Sequence, residues 1–199
     1  MIASRTEIKA ILQITSTTND DLIDRFIPIV ESDIREHCNN NFVDDEVYLQ
    51  SSEISFTHNS TSADTINLAN ATNGFSYAQF KDGQTVFVLG SYNNDGFFEV
   101  ETVSSAALTL YTSTSRPYFD PLVTEDKDVY VSIFKVLYPN ALKLVMADMV
   151  NYKLSKQDHG VLSETVSRYS VTYNRQDTVD GYPKSLMAGL NKWRHVRFV

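Results

Sequence analysis

Residues 85–103, TVFVLGSYNNDGFFEVETV, are the stretch that decides the central part of the fold. Runs rich in Val, Phe and Thr with alternating periodicity flank Asn93-Asn94-Asp95-Gly96, which is the pattern of two antiparallel strands. Asp95-Gly96 favours a tight turn, because both residue types tolerate the positive φ angles that hairpin turns need. Shorter alternating runs at 54–56, 65–68 and 107–111 repeat the pattern. We therefore predict a small antiparallel β module over residues 47–115.

The same part of the chain is strongly acidic. From Glu36 to Ser115 there are ten acidic residues and a single basic one, Lys81, which gives a net charge of -9. The other residues hold 16 basic and 15 acidic groups, so that the net charge of -8 of the whole chain arises in its middle. A compositional boundary of this kind indicates an inserted module.

Helical periodicity precedes the β module. Residues 6–14 predict a short helix, and Asn19-Asp20-Asp21 supplies a cap and first-turn acids for a second helix that runs to about Cys38. Pro28 lies inside the second helix and predicts a kink, because proline cannot donate a backbone hydrogen bond. An apolar residue recurs every four positions in this helix, which predicts a buried stripe. The stripe consists of Leu22, Phe26, Val30, Ile34 and Cys38.

The chain after the module predicts a strand at 129–134, a helix from Pro139, a strand-like run at 163–174 and a short helix after Pro183. No acidic residue follows Asp180, whereas four basic residues do. A cationic and aromatic tail on an acidic protein is more typical of a docking element than of an active site. The basic residues are Lys184, Lys192, Arg194 and Arg197, and the apolar ones that accompany them are Trp193, Phe198 and Val199.

These patterns predict an α+β protein with a small helical bundle core, an inserted antiparallel β module and a C-terminal strand, helix and tail. Residues 1–46 and 116–199 are assigned to the helical core, and residues 47–115 to the acidic β-rich insertion. The apolar stretches are far shorter than the roughly 20 residues that span a bilayer. Met1 to Arg5 also lacks the features of a signal peptide. We therefore expect synthesis in a cytoplasm and no membrane partner.

Motifs that carry chemistry are missing from the sequence. The four histidines have no zinc-binding spacing, and the seven glycines form neither a dinucleotide fingerprint nor a phosphate loop. The clusters Asp20-Asp21-Asp24 and Asp44-Asp45-Glu46 are explained by helix capping and by a solvated loop. Cys38 is the only cysteine, and we expect it to be a buried free thiol. We predict no catalytic, cofactor-binding or metal-binding residues and no enzyme, although an active site built from distant residues stays open.

Three stretches resemble a known family. Residues 22–42, LIDRFIPIVESDIREHCNNNF, together with 169–174, YSVTYN, and 181–186, GYPKSL, resemble the head-tail connector, or head completion and adaptor, proteins of long-tailed phages of Gram-positive bacteria. The resemblance covers about residues 5–45 and 128–199. It depends on the order and combination of these stretches rather than on a catalytic signature. The acidic β module is larger than the corresponding part of the smaller family members.

The resemblance implies a structural protein of the virion neck, at the head-tail interface, made in the cytoplasm of a bacterial host. Such proteins form an oligomeric, usually dodecameric, ring under the portal protein and can be monomers before they assemble. The ring completes the DNA-filled head, extends the channel for genome ejection without sequence-specific DNA binding, and offers a platform to a stopper or tail completion protein. Helix 19–38 would pack side by side around the ring through Leu22, Phe26, Val30 and Ile34. The portal-docking residues would be Lys184, Lys192, Trp193, Arg194, Arg197, Phe198 and Val199.

Several alternatives stay open. The chain could be a tail-side stopper or completion protein that plugs the channel with its β module. It could instead be a carbohydrate-binding or receptor-binding module, with Tyr92, Phe97 and Phe98 as stacking groups. Trp193 could simply close the core while the last residues fray. The acidic module could face either the DNA channel or the outside of the ring.

Overall fold

The computed structural model describes residues 1–70, 72, 74–76, 78–111, 121–126, 130–158, 163–166, 169–172 and 178–195. For residues 45–48, 156–158, 163–166 and 169–172 it describes the backbone alone. The chain forms two compact units. Met1 and Asn41–Tyr138 make up the first, which we call the sheet unit, and Ile2–Asn40 with Pro139–Val199 make up the second, the helical unit.

A seven-stranded antiparallel sheet, curled into a half-barrel, builds the sheet unit. Its strands lie in the order β1-β7-β4-β5-β6-β3-β2. Irregular pairing between Asp44 and Tyr48 in β1, and between Val100 and Thr102 in β5, increases the local twist that curls a sheet. The strands are β1 (Val43–Ser51), β2 (Ile54–Thr57), β3 (Thr65–Leu68), β4 (Thr85–Leu89), β5 (Gly96–Val103), β6 (Ala107–Leu110) and β7 (Val131–Val136).

The two antiparallel strands predicted from residues 85–103 are confirmed. The tight turn predicted at Asp95-Gly96 is wrong, because Gly96 is the first residue of β5 and the connection runs over residues 90–95. Strands β4 and β5 pair antiparallel, with Thr85 opposite Glu99 and Val88 opposite Gly96. Alternate residues of these strands face a buried core, as the pleat of a strand requires. The core residues of the unit are Ile54, Phe56, Ile66, Leu68, Phe75, Phe80, Val86, Val88, Val100, Leu108, Leu110, Leu122, Val131 and Ile133.

The predicted fold class is wrong in its central element. The protein is dominated by the curled sheet rather than by a helical bundle core with a β insertion. Strand β7, which the sequence prediction assigns to the helical core, lies between β1 and β4 inside the sheet. Residues 44–46, interpreted as a solvated loop, belong to β1. Both errors have one cause, since the partners of β1 and β7 lie far away in the sequence and no local pattern reports such pairing.

Three longer helices form the helical unit: α1 (Arg5–Leu12), α2 (Asp20–Cys38) and α3 (Leu142–Asp158). Ser4 and Glu7 form a capping box that starts α1, and Asp20 and Asp21 occupy the first turn of α2 as predicted. Helix α3 packs against both α1 and α2. Among the described residues no helix is long and apolar enough to cross a membrane.

The rest of the helical unit consists of short elements near the C-terminus. They are β8 (Ser163–Val166), β9 (Tyr169–Thr172), β10 (Thr178–Val179), β11 (Tyr182–Pro183), α4 (Lys184–Ala188) and a 3-10 turn (Asn191–Trp193). The sequence predicts a single strand over 163–174, and this prediction is wrong. The described residues of the run form two antiparallel strands, with Ser163 opposite Thr172 and Val166 opposite Tyr169.

A buried cation lies on the core face of the sheet. Lys135 of β7 is opposite Val86 of β4 and Asp44 of β1, and its Nζ atom lies 5.3 Å from the ring centroid of Phe80. Burial lowers the pKa of Lys135, the charge of Asp44 raises it, and Lys81 lowers it further. Burial therefore has the largest effect, which means that the charged form of this side chain destabilises the folded sheet.

We predict that Lys135→Met stabilises the protein by about 1 kcal/mol at neutral pH, because it removes a buried charge and keeps the shape of the side chain. The folded pKa of Lys135 lies below the unfolded value of 10.5. Between these two values the folded protein has lost the proton while the unfolded chain still binds it, so the stability of the wild type rises with pH. The advantage of Lys135→Met should therefore shrink in this range.

Urea unfolding of both proteins at neutral and alkaline pH measures this effect. Lys81→Met serves as a comparison, because it removes only the exposed cation whose charge lowers the pKa of Lys135, and it should change stability by less than about 0.5 kcal/mol. A Lys135→Met protein that is less stable than the wild type at neutral pH would contradict the prediction.

Candidate interaction surfaces

The C-terminal segment of the helical unit is fixed by one aromatic residue. Strands β10 and β11 form a hairpin through Asp180 and Gly181, whose φ angles of 52° and 83° suit a two-residue turn. Directly after this turn, Tyr182 is only 1% exposed. Its hydroxyl donates a 2.6 Å hydrogen bond to Asp33 of α2, and its ring lies 5.9 Å from that of Tyr152 of α3. Tyr182 thus ties the segment to two helices.

The surroundings of Tyr182 keep its hydroxyl protonated. Burial raises the pKa of Tyr182, and the hydrogen bond to Asp33 and the charge of Asp33 raise it further. Lys153 lies beside this pair, with its Nζ atom 3.4 Å from Asp33 Oδ2 and 4.9 Å from the ring centroid of Tyr182. The same carboxylate oxygen therefore has both a hydroxyl donor and a cation as partners.

The residues after α4 close the C-terminal end of α2. The backbone N–H of His195 donates to the carbonyl of Cys38 at 2.8 Å, and the side chain of Asn40 donates to the carbonyl of Trp193 at 3.2 Å. Such contacts satisfy carbonyl groups that a helix end leaves without partners. Cys38 is buried and free, as predicted, and burial raises the pKa of its thiol while Arg194 acts in the opposite direction. The backbone of residues 193–195 is therefore held, although these residues lie near the chain end.

Four of the seven predicted docking residues lie in the described part of the chain. Lys184, Lys192 and Arg194 are exposed, and Trp193 is half-buried. The Nζ atom of Lys192 lies 4.0 Å from the ring centroid of Trp193. Among residues 189–195, Leu190 is fully buried, whereas Trp193 is not. The other three predicted residues, Arg197, Phe198 and Val199, lie outside the described residues.

The stripe predicted for packing between ring subunits divides into two parts. Val30 and Ile34 are fully buried inside the helical unit, together with Ile23, Ile27 and Cys38 of the same helix. Leu22 and Phe26 are half-buried and keep some exposed surface. A four-residue spacing exceeds the 3.6 residues of a helical turn, so a stripe of this spacing drifts around the helix. Only the Leu22 and Phe26 end of the predicted stripe has surface to offer to a neighbouring molecule.

A polar network fixes the end of the β4–β5 hairpin. Glu125 is buried, and its carboxylate accepts hydrogen bonds from the backbone N–H groups of Tyr92 at 2.8 Å and Asn93 at 3.1 Å. It also accepts one from the side chain of Asn94 at 2.9 Å. Asn94 is bonded in turn to both the N–H and the carbonyl of Val123. The sequence offers no signal for this role, because Glu125 stands in a charged connecting segment far from the hairpin.

The face of the sheet opposite the core is unusually apolar near this hairpin end. Phe87 of β4 lies opposite both Phe97 of β5 and Phe134 of β7, with ring centroids 4.7 and 6.2 Å apart. All three rings are half-buried. Leu89 continues the same face along β4 and is exposed. A face of this kind differs from the polar outer surface that an antiparallel sheet usually presents to water.

The predicted stacking groups of a carbohydrate-binding module are not brought together. Phe97 and Phe98 are consecutive residues of β5, so their side chains point to opposite faces of the sheet. Phe98 packs against the core of the sheet unit, whereas Phe97 lies on the outer face. Tyr92 is exposed at the hairpin turn. The three residues therefore form no common platform.

Comparison with known proteins gave no matching family model and no matching curated protein. In the described part of the chain, no group of three or more His, Cys, Asp and Glu side chains is arranged to hold a metal ion. The features that bear on function are therefore the residue patterns and two surfaces, the C-terminal segment and the hairpin end.

Proposed function

We propose that this protein is a structural subunit of a phage neck. It forms an oligomeric ring under the portal protein, completes the DNA-filled head, extends the DNA channel and provides the platform for tail attachment. A chain with a net charge of -8 suits a channel wall along which DNA moves without adhering.

One observation carries the proposal. The stretches that resemble head-tail connector proteins are far apart in the sequence, yet α2, from the first stretch, is bonded directly to Tyr182, from the last. Both belong to one compact unit, although the whole sheet unit lies between them in the sequence. The matching stretches therefore meet in space within one compact unit, as expected if they act together.

The portal-facing surface in this proposal is the C-terminal segment. Its backbone is fixed on α2 by Tyr182 and by the contacts of residues 193 and 195, while Lys192 and Arg194 extend their charges into solvent. A rigid backbone that presents exposed cations loses little conformational entropy when it binds. Trp193 adds a half-buried aromatic ring, a residue type that often anchors interfaces.

Portal binding by tail variants tests the proposal. Deleting Val196 to Val199, or introducing Arg194→Glu, should weaken binding to the purified portal at least about tenfold, which corresponds to about 1.4 kcal/mol. The deletion keeps the hydrogen bonds that residues 193 and 195 make with the end of α2, so the variant should stay folded. Light scattering of each protein, alone and mixed with portal, gives both the mass of the complex and its affinity.

Lys81→Glu is the matched control, since it reverses an exposed charge on the sheet unit. It should leave portal binding unchanged. Wild-type protein that shows no affinity for the portal would overturn the proposed function. If the wild type binds but the deletion and Arg194→Glu bind equally well, the docking surface is assigned wrongly.

A further inference from the structure

The outer face of the sheet unit changes from buried to exposed along its strands. At one end, Thr85 of β4 lies opposite Glu99 of β5 and Val136 of β7, and all three residues are buried. The three half-buried phenylalanine rings follow, and Leu89 beyond them is 47% exposed. The hairpin end of this face is therefore apolar and open to solvent.

Tyr130 extends this apolar surface beyond the end of β4. Gly90 follows Leu89, and a Cβ atom at Gly90 would lie 2.8 Å from the Tyr130 carbonyl oxygen, so the two segments are in contact. Tyr130 is 69% exposed and directly precedes Val131, whose side chain belongs to the core, so strand alternation directs Tyr130 outward. Contiguous exposed apolar groups mark interaction sites. The name aromatic outer face is used below for Phe87, Phe97, Phe134, Leu89 and Tyr130.

The charges next to the aromatic outer face are negative. Glu99 lies two residues after Phe97 in β5 and therefore shares its face, and the exposed Asp95 directly precedes β5. Strands β4, β5 and β7 contain a single Lys or Arg, which is Lys135. Lys135 is opposite Val86 on the core face, so these three strands carry no cation on their outer face.

Aromatic rings beside carboxylates favour a cationic ligand. The face of an aromatic ring attracts the charged group of Lys or Arg, and neighbouring carboxylates add to this attraction. Nucleic-acid bases also stack on aromatic rings, but proteins that bind them provide a positively charged groove for the phosphates. An acidic surface repels phosphate, which disfavours a nucleic acid here. Leu89 and Tyr130 add apolar contact area of the kind found in protein interfaces.

The chain itself does not provide the strongly basic unit that would complement this surface. The sheet unit holds 13 acidic and 4 basic residues, a net charge of -9, so two sheet units repel each other. The helical unit holds 12 acidic and 13 basic residues, a net charge of only +1. Charge complementarity therefore favours a different protein over a second copy of this chain.

We infer that the aromatic outer face binds a basic segment of another protein. Lys or Arg side chains of that segment lie over the phenylalanine rings, and its apolar side chains pack on Leu89 and Tyr130. The inference goes beyond the proposed function, because it assigns a second binding surface to the sheet unit. This surface consists of residues other than those of the C-terminal segment proposed to bind the portal.

Selection from a display library of random peptides on the full-length protein tests the inference. We expect the enriched peptides to carry more Lys and Arg than Asp and Glu, together with aliphatic or aromatic residues. Fluorescence anisotropy then measures the affinity of an enriched peptide. The double variant Leu89→Ser with Tyr130→Ser should bind it at least about tenfold more weakly than the wild type. Both side chains are exposed, so the variant should stay folded, which circular dichroism verifies.

A pair of charge variants separates charge from apolar contact. Leu89→Lys and Leu89→Glu remove the same side chain and differ in the sign of the charge. The selected peptide should bind Leu89→Lys roughly tenfold more weakly than Leu89→Glu, because only the introduced lysine repels its cations.

Leu137 is the matched control position, since it is 54% exposed but follows β7 at the end opposite Tyr130. The length of β7 places it about 20 Å from Tyr130, beyond the screening length of about 10 Å at 0.1 M salt. Leu137→Lys and Leu137→Glu should therefore bind the peptide within about twofold of each other at this salt concentration.

The inference is overturned by a selection that enriches no peptide or enriches peptides without an excess of cations. It is also overturned by a double variant that binds as well as the wild type, or by equal affinities of Leu89→Lys and Leu89→Glu. Binding of an oligodeoxythymidine or a glycan that depends on Tyr130 would reject it as well. Portal binding is measured separately, so these failures leave the proposed function standing.

Discussion

Replacing Glu125 with alanine is expected to lower the free energy of unfolding by about 3 kcal/mol, because three hydrogen-bond donors lose a charged acceptor. The donors are the N–H groups of Tyr92 and Asn93 and the side chain of Asn94, and none of them is removed by the substitution. Glu125 also connects two parts of the sheet unit, since its backbone pairs with Phe56 at 2.8 and 2.9 Å. The variant should therefore loosen both the hairpin end and the segment that supports it.

Urea unfolding followed by far-ultraviolet circular dichroism measures this loss. Glu125→Gln should be less damaging than Glu125→Ala, because it keeps one oxygen acceptor and replaces the other with an amide that cannot accept from Asn93 or Asn94. Glu101→Ala removes an exposed carboxylate from β5 and should change stability by less than about 0.5 kcal/mol. Equal stability of the Glu125→Ala and Glu101→Ala proteins would contradict the assigned role of Glu125.

The β4–β5 hairpin could be predicted from sequence because its information is local. Strands β4 and β5 follow one another in the sequence, so paired residues such as Val88 and Gly96 lie a short distance apart along the chain. Local turn chemistry and strand periodicity act on neighbouring residues, so a single sequence contains them in full.

The sheet as a whole could not be predicted, because its arrangement depends on pairing between distant strands. Strand β7 contacts β1 on one side and β4 on the other, and neither partner is its neighbour in the sequence. An isolated alternating run such as 131–136 shows that a strand exists and leaves its partners open. In the sequence pattern, the helices on both sides of the module suggest a helical core. The architecture is instead determined by the pairing of strands that lie far apart in the sequence.

The candidate surfaces were also only partly predictable from the sequence. The basic C-terminal residues stand out in the sequence because composition alone reveals them. Their support by Tyr182 and Asp33 required the three-dimensional structure, since these two residues lie far apart along the chain.

Replacing Tyr182 with alanine is expected to destabilise the helical unit by about 4 kcal/mol, the usual cost of removing a fully buried aromatic ring. The ring contacts Tyr152, and the hydroxyl donates to Asp33, so the variant loses packing and a hydrogen bond together. Tyr182→Phe keeps the ring and loses only the hydrogen bond, which should cost about 1 to 2 kcal/mol. Asp33 retains Lys153 as a partner in both variants, which limits the additional cost of an unpaired carboxylate.

The Tyr182→Ala variant also tests whether portal docking depends on the stability of the C-terminal segment. Trp193 is the only tryptophan, and it lies in the segment that Tyr182 ties to α2, so its fluorescence reports on this segment. In Tyr182→Ala we expect Trp193 emission to shift to the red at lower urea concentration than in the wild type, and portal binding to fall with it. Ser185→Ala is the control, because it changes an exposed residue of α4 in the same segment and should leave both signals unchanged. Normal portal binding by a Tyr182→Ala protein whose Trp193 is already exposed would mean that the fixed geometry of the segment is irrelevant to docking.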